Sequence, residues 1–180
     1  MRFKESLPSR DVVVLGYGDE TRALLAHLAS EQPSVLARVL VVDPDPHAVD
    51  RARATGAAAV RADPFDPAEL RRAGIERACV VISLAVPGSA ARGASPSVVR
   101  LARALCPDAR VLVSATGDDH ARELRLAGAH EVFLASGPPD LARSLDAAAV
   151  PDAAAAGART LLGRALRSMA RFLDAVADGR

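Results

Sequence analysis

The stretch Asp11-Val12-Val13-Val14-Leu15-Gly16-Tyr17-Gly18-Asp19-Glu20-Thr21 decides the fold. Its apolar residues run without alternation and are mostly β-branched, the pattern of a strand covered on both faces. Gly16 ends that strand at a tight turn. Asp19 to Ser30, with Leu24, Leu25 and Leu28 on one side, reads as a helix. A glycine-bearing turn between a buried strand and a helix brings free backbone N–H groups and the positive end of the helix dipole to one place, which suits a phosphate.

Outward from this unit the same alternation continues. Further strands are expected over Val35–Asp43, Ala57–Arg61, Ala78–Ala85, Arg110–Ala115 and Glu131–Ala135. Helices are expected over Pro46–Thr55, Pro67–Ala73, Ser95–Leu105 and Asp118–Ala127, several of them opened by Pro and stopped by Gly or Pro. Continuous apolar strands alternating with helices predict an α/β fold. Its sheet is doubly wound, mostly parallel and six-stranded, Rossmann-like, with helices on both faces. Ser83 to Ser97, rich in Pro, Gly and Ser, is expected to be a mobile loop after the fourth strand.

Beyond Pro139 the pattern changes. Asp140 to Ala149 continues as a helix, 150–158 is an Ala-rich link, and Arg159 to Val176 carries Leu162, Leu166, Met169, Phe172 and Leu173 at helical spacing. The division is therefore an extension at 1–10, a Rossmann-like domain at 11–149, a linker at 150–158 and an amphipathic helix at 159–180. That helix packs on its own domain, serves a subunit or partner interface, or lies on a membrane.

Composition narrows the function. Of 180 residues, half are hydrophobic and a quarter charged, enough for a packed core. Basic and acidic residues number 23 and 22, so no bulk charge draws the chain to nucleic acid or to an anionic membrane. The longest apolar run, Ala78 to Val86, falls far short of the roughly 20 residues that span a bilayer. Met1 to Ser6 show no signal-peptide pattern, so a cytoplasmic protein without direct membrane insertion is expected. Cys79 and Cys106 form neither a disulfide framework nor a zinc set, and both are expected as buried structural thiols.

The candidate binding residues gather around the first turn. Gly16 permits the turn, and Gly18 lets backbone approach a diphosphate. A third glycine is usual in this motif and allows close helix–strand packing. Thr21 stands there, implying a wider crossing or a modified loop. Asp19 and Glu20 put carboxylates where a diphosphate would lie, or cap the helix themselves. Asp43, ending the second strand, suits the two hydroxyls of an adenosine ribose and disfavours a 2′-phosphate. Asp45 is its alternative, and a turn before Pro44 is its structural role. Asp63, after the third strand, lies near the expected adenine position or forms an Asx turn or N-cap. No catalytic set or metal spacing is present. Asp118, Asp119 and His120 read as a helix N-cap rather than an acid–base site.

These motifs resemble the N-terminal RCK domain, also called KTN or TrkA-N, of potassium channels and transporters. The resemblance spans roughly Asp11 to Ala149. It lies in Val12 to Gly18, in Val41-Val42-Asp43-Pro44-Asp45, in Arg61 to Leu70, in Ala73 to Ile82, and in Asp118 to Val132. It implies a non-catalytic regulatory subunit that binds NAD(H) or an adenine nucleotide (ATP, ADP or AMP). It also implies a homodimer acting on a separate membrane potassium channel or transporter subunit in trans. Gly16, Tyr17 and Gly18 would then face the diphosphate, with Asp19 and Thr21 in the same loop, Asp43 the ribose and Asp63 the adenine region. The sequence departs from the family pattern at Thr21, at Ala62-Asp63-Pro64, in the Pro87–Ser97 loop and at Ser114. Two other classes stand beside this reading: a small NAD-dependent oxidoreductase, and a degenerate Rossmann interaction module that binds no nucleotide.

Overall fold

The computed structural model describes residues 10–84 and 94–134. Most of the expected N-terminal extension, the centre of the Ser83–Ser97 loop, Ala135, and the expected link and helices beyond residue 139 lie outside them.

Six strands, β1 (Val12–Leu15), β2 (Val39–Asp43), β3 (Ala58–Arg61), β4 (Val80–Ser83), β5 (Arg110–Ala115) and β6 (Glu131–Leu134), form one sheet in the order β3-β2-β1-β4-β5-β6. All five pairings are parallel. The helices are α1 (Asp19–Glu31), α2 (Pro33–Leu36), α3 (Pro46–Ala54), α4 (Pro67–Arg72), α5 (Pro96–Leu105) and α6 (Asp118–Leu126). The expected six-stranded, doubly wound sheet is present, and among the described residues it is wholly parallel.

The strand pattern divides the core. Val12 and Val14 of β1, with Val39 and Val41 of β2, face Leu24, Leu25 and Leu28 of α1 and Val49 of α3. Val13 and Leu15, with Leu40 and Val42, join the other layer, which holds Leu70 of α4, Val98 and Val99 of α5, and Leu124 of α6. Every β1 residue thus buries its side chain under one helical layer or the other, which explains why its sequence shows no alternation.

Two strand expectations were too long by two residues or more. The strand predicted over Val35–Asp43 begins at Val39, because Pro33 sits in the first turn of the short helix α2 and Leu36 is buried from that helix. The strand predicted over Ala78–Ala85 is Val80–Ser83, preceded by a 3-10 turn at Ile75–Arg77 that closes with Ala78 N–H donating to Ile75 O at 2.8 Å. The cysteines also separate. Cys106 is buried, its thiol donates to Ile75 O at 3.1 Å, and burial, then Glu76, pushes its pKa up to about 11. Cys79 is only half-buried, because it stands one residue before β4 at the rim of the sheet, donating from its N–H to Asp11 O at 2.7 Å.

That rim, at the N-terminal ends of the strands, is held by charge. Asp11 precedes β1 and is 7% exposed. Arg38 precedes β2; its Nε donates to Asp11 Oδ1 at 2.8 Å and its Nη2 to Oδ2. A two-pronged pair of this kind fixes the register in which β1 and β2 start. Removing the guanidinium strands a buried carboxylate. Arg38→Ala is therefore expected to cost about 3 kcal/mol in urea unfolding, with the spectrum of the native fold retained; a loss within experimental error of zero would show the pair to be incidental.

Candidate functional site

At the opposite rim, the C-terminal ends of the strands, the turn from β1 to α1 is built by three contacts. Gly16 N–H donates to Val42 O at 2.8 Å, so the turn begins as an extension of the β1–β2 ladder. Gly16 then adopts φ +89°, a left-handed conformation that glycine takes without a Cβ penalty. Thr21 Oγ1 donates to Gly16 O at 3.0 Å, and Thr21 is 1% exposed. The residue at the usual third-glycine position therefore closes the turn from the helix side with its own hydroxyl. Gly18, at φ −124°, is extended like any other residue; its missing side chain leaves α1 without a side-chain N-cap. By contrast, Asp45, Asp66 and Ser95 cap α3, α4 and α5.

The third contact is Asp43. Its carboxylate is buried, with Oδ2 accepting Tyr17 N–H at 2.7 Å and Oδ1 accepting Asp45 N–H at 2.8 Å. One acid thus ties the loop after β1 to the loop after β2. Each of its oxygens keeps a second lone-pair direction. The side chain of Tyr17 lies under the Arg51 guanidinium, 5.5 Å from its ring centre, and Arg51 lies 3.9 Å from Asp45.

The second carboxylate that the sequence puts in this turn reaches from α1 toward β5. Glu20, in the first turn of α1, accepts a hydrogen bond from Ser114 Oγ of β5 at 2.8 Å. Burial raises the Glu20 pKa above the ordinary 4.5, and the Ser114 bond pulls it partly back. The sequence marks Glu20 as a residue of the loop and Ser114 as a departure. Nothing local joins two positions 94 residues apart.

The remaining candidates stay local. Asp63 is exposed after β3; its Oδ1 accepts Phe65 N–H at 2.9 Å in an Asx turn, and its own N–H goes to Glu69 Oε2 at 2.7 Å. Asp45 caps α3 through His47 N–H at 2.9 Å. Asp19 is exposed and lies 3.5 Å from Arg22. Gly117, not Asp118 or Asp119, is the N-cap of α6, because the two acids already lie in its first turn. His120 Nδ1 accepts Thr116 N–H at 3.2 Å, and its Nε2 lies 3.1 Å from Ala94 O, which fixes the ring between the β5–α6 turn and the start of α5. Among the described residues no group of His, Cys, Asp and Glu could hold a metal ion, and no helix is long and apolar enough to cross a membrane.

The glycine turn, the acid at the end of β2 and all six strands lie within residues 12–135, which match a family model, the TrkA-N domain. The chain belongs to the TrkA-N family. Among solved structures, this TrkA-N domain is similar to that of the inner membrane protein ybaL from Escherichia coli. The two are 25% identical, with a TM-score of 0.58, over 78% of this chain and 96% of that one. The NAD(P)-binding domain of an exopolyphosphatase-related protein from Archaeoglobus fulgidus shares the fold at 21% identity and a TM-score of 0.55, over 76% and 93% of the two chains. So does the GsuK channel bound to NAD, at 22% identity and a TM-score of 0.54, over 73% of this chain and 22% of that one. GsuK has also been solved bound to ADP. No curated protein sequence matches the chain.

Two outcomes test this geometry. Thr21→Val removes the donor to Gly16 O at nearly constant volume and should cost about 1 kcal/mol of unfolding free energy; a neutral result would mean that the turn closes without the hydroxyl. Glu20 binds its proton more tightly when folded, so its ionisation opposes folding. That stability is complete below pH 4.5 and is lost as pH rises through the raised folded value. Melting temperatures of wild type and Glu20→Gln, compared along that rise, should therefore diverge in favour of the variant, whereas a constant difference would contradict the burial of the ionised group.

Proposed function

We propose that this TrkA-N domain binds NAD(H) or an adenine nucleotide (ATP, ADP or AMP) across the β1/β4 switch point and regulates a partner without catalysis. One observation carries the reading: the Asp43 carboxylate is hydrogen-bonded to the backbone of the glycine turn. The ribose acceptor and the diphosphate cradle are thereby held in fixed relation before any ligand arrives, which lowers the ordering cost of binding. The uncapped start of α1 offers its N–H groups to the diphosphate. Gly16, Tyr17, Gly18, Asp19 and Thr21 form that cradle, and Asp63 borders the adenine.

The partner reading rests on family and neighbours. The GsuK chain is a channel of which this chain spans about a fifth. By that likeness the present chain acts as a homodimer, from the cytoplasmic face, on a separate membrane potassium transport subunit. A ligand regulates such an assembly only through unequal affinity for two of its states. Two observations favour a second reading, an interaction module that binds no nucleotide: both Asp43 oxygens already accept backbone N–H groups, and Glu20 reaches toward β5.

Calorimetric titration of the full chain with NAD, NADH, ATP, ADP and AMP separates the two. Micromolar binding that weakens at least about tenfold in Asp43→Ala is the expected result, with thermal unfolding of the variant recorded alongside, because Asp43 also holds two loops. Absence of binding by folded wild type overturns the nucleotide reading in favour of the module. Steady NADH consumption with an added substrate would return the oxidoreductase.

A further inference from the structure

We infer that Glu20 and Ser114 sort the ligands of the proposed site. They favour an adenosine diphosphate capped by a second sugar and disfavour one ending in a free phosphate. The inference rests on the nucleotide reading above and deepens it by choosing between the two ligand classes that the motifs leave open.

A sheet of this order has two mononucleotide halves, one over β1–β3 and one over β4–β6, with the diphosphate between them at the start of α1. Asp43 serves the first half. The Glu20–Ser114 pair joins the first turn of α1 to the last residues of β5, so it lies on the second half, beyond the diphosphate. Whatever follows the second phosphate meets these two groups. Ser114 is 4% exposed, and the carboxylate of Glu20 is partly withdrawn from water, where a charge placed beside it is poorly screened. The extra phosphate of ATP would bring like charge against that carboxylate, and the terminal phosphate of ADP would do so to a smaller degree. A ribose presents hydroxyl donors instead, and a carboxylate accepting from a ribose is the chemistry that Asp43 would supply in the first half. The chain thus places one carboxylate at each end of the diphosphate cradle. Asp119, in the first turn of α6 just beyond β5, is exposed, so solvent screens it.

The test is calorimetric competition among ADP-ribose, NAD, ADP and ATP on the full chain, in mildly alkaline buffer, which favours the ionised carboxylate of Glu20. ADP-ribose isolates the second sugar from the charge of the nicotinamide ring. Wild type should bind ADP-ribose and NAD at least about tenfold tighter than ATP. Glu20→Gln should shrink that ratio by about tenfold, tightening ATP while weakening ADP-ribose. Ser114→Ala should shrink it less, and Asp119→Asn should leave it within about twofold. Nucleotides bound with a ratio that Glu20→Gln does not move, or that Asp119→Asn moves equally, overturn the inference and spare the nucleotide reading. A wild type that prefers ATP does the same. No binding of any of the four by wild type or variants overturns both.

Discussion

Strand β1 touches water on neither face and at neither edge. Val12, Val13 and Val14 are fully buried and Leu15 is 2% exposed. Its backbone groups must then be hydrogen-bonded within the protein, and β2 and β4 supply the bonds from either side. The chain leaves β1 for β2 under one helical layer and reaches β4 through the other. The loops above β1 are thus drawn to opposite sides, and a crevice opens at that point. The site is hung from this arrangement: Gly16 continues the ladder to Val42, Tyr17 is bonded to Asp43, and Glu20 reaches across toward β5.

What could be read from the residues was what is local or periodic. β1, its glycine turn and α1 form one unbroken signal, and strand β5 carries its own boundaries. Val35, apolar and β-branched, reads locally as strand, whereas Pro33 and the burial of Leu36 make that segment a helical turn. Asp43 could be singled out by its position at a strand end after a glycine turn. That both its oxygens would already hold backbone N–H groups is a property of two loops meeting in space. Thr21 was visible only as a missing glycine; its hydroxyl bond to Gly16 needs the turn to exist first. The Glu20–Ser114 pair has no local pattern at all, since its members belong to elements brought together only by the order of the sheet.

The two rims of the sheet treat charge differently. At the N-terminal rim, Asp11 is matched by Arg38, so the pair is neutral as a unit. At the C-terminal rim, Asp43 is held by N–H groups and Glu20 by a hydroxyl. Dipoles stabilise an anion without cancelling it, so that rim keeps negative character where a cation would have removed it. The positive end of α1 faces the same region and offsets part of it. A crevice of this kind discriminates by where a ligand carries its charge, not by total charge alone.

The register of β1 also orders events during synthesis. Val12 pairs with Val39 on one side and with Val80 on the other. The partner at residue 39 leaves the ribosome first, and the chain folds from its N-terminal part onward. Until β4 emerges, β1 is an open, apolar edge strand with unpaired N–H and C=O groups, the kind of surface that recruits foreign strands. The central strand of the finished sheet is thus the exposed flank of the nascent one, and the interval before residue 80 is when this chain most needs shielding by a chaperone.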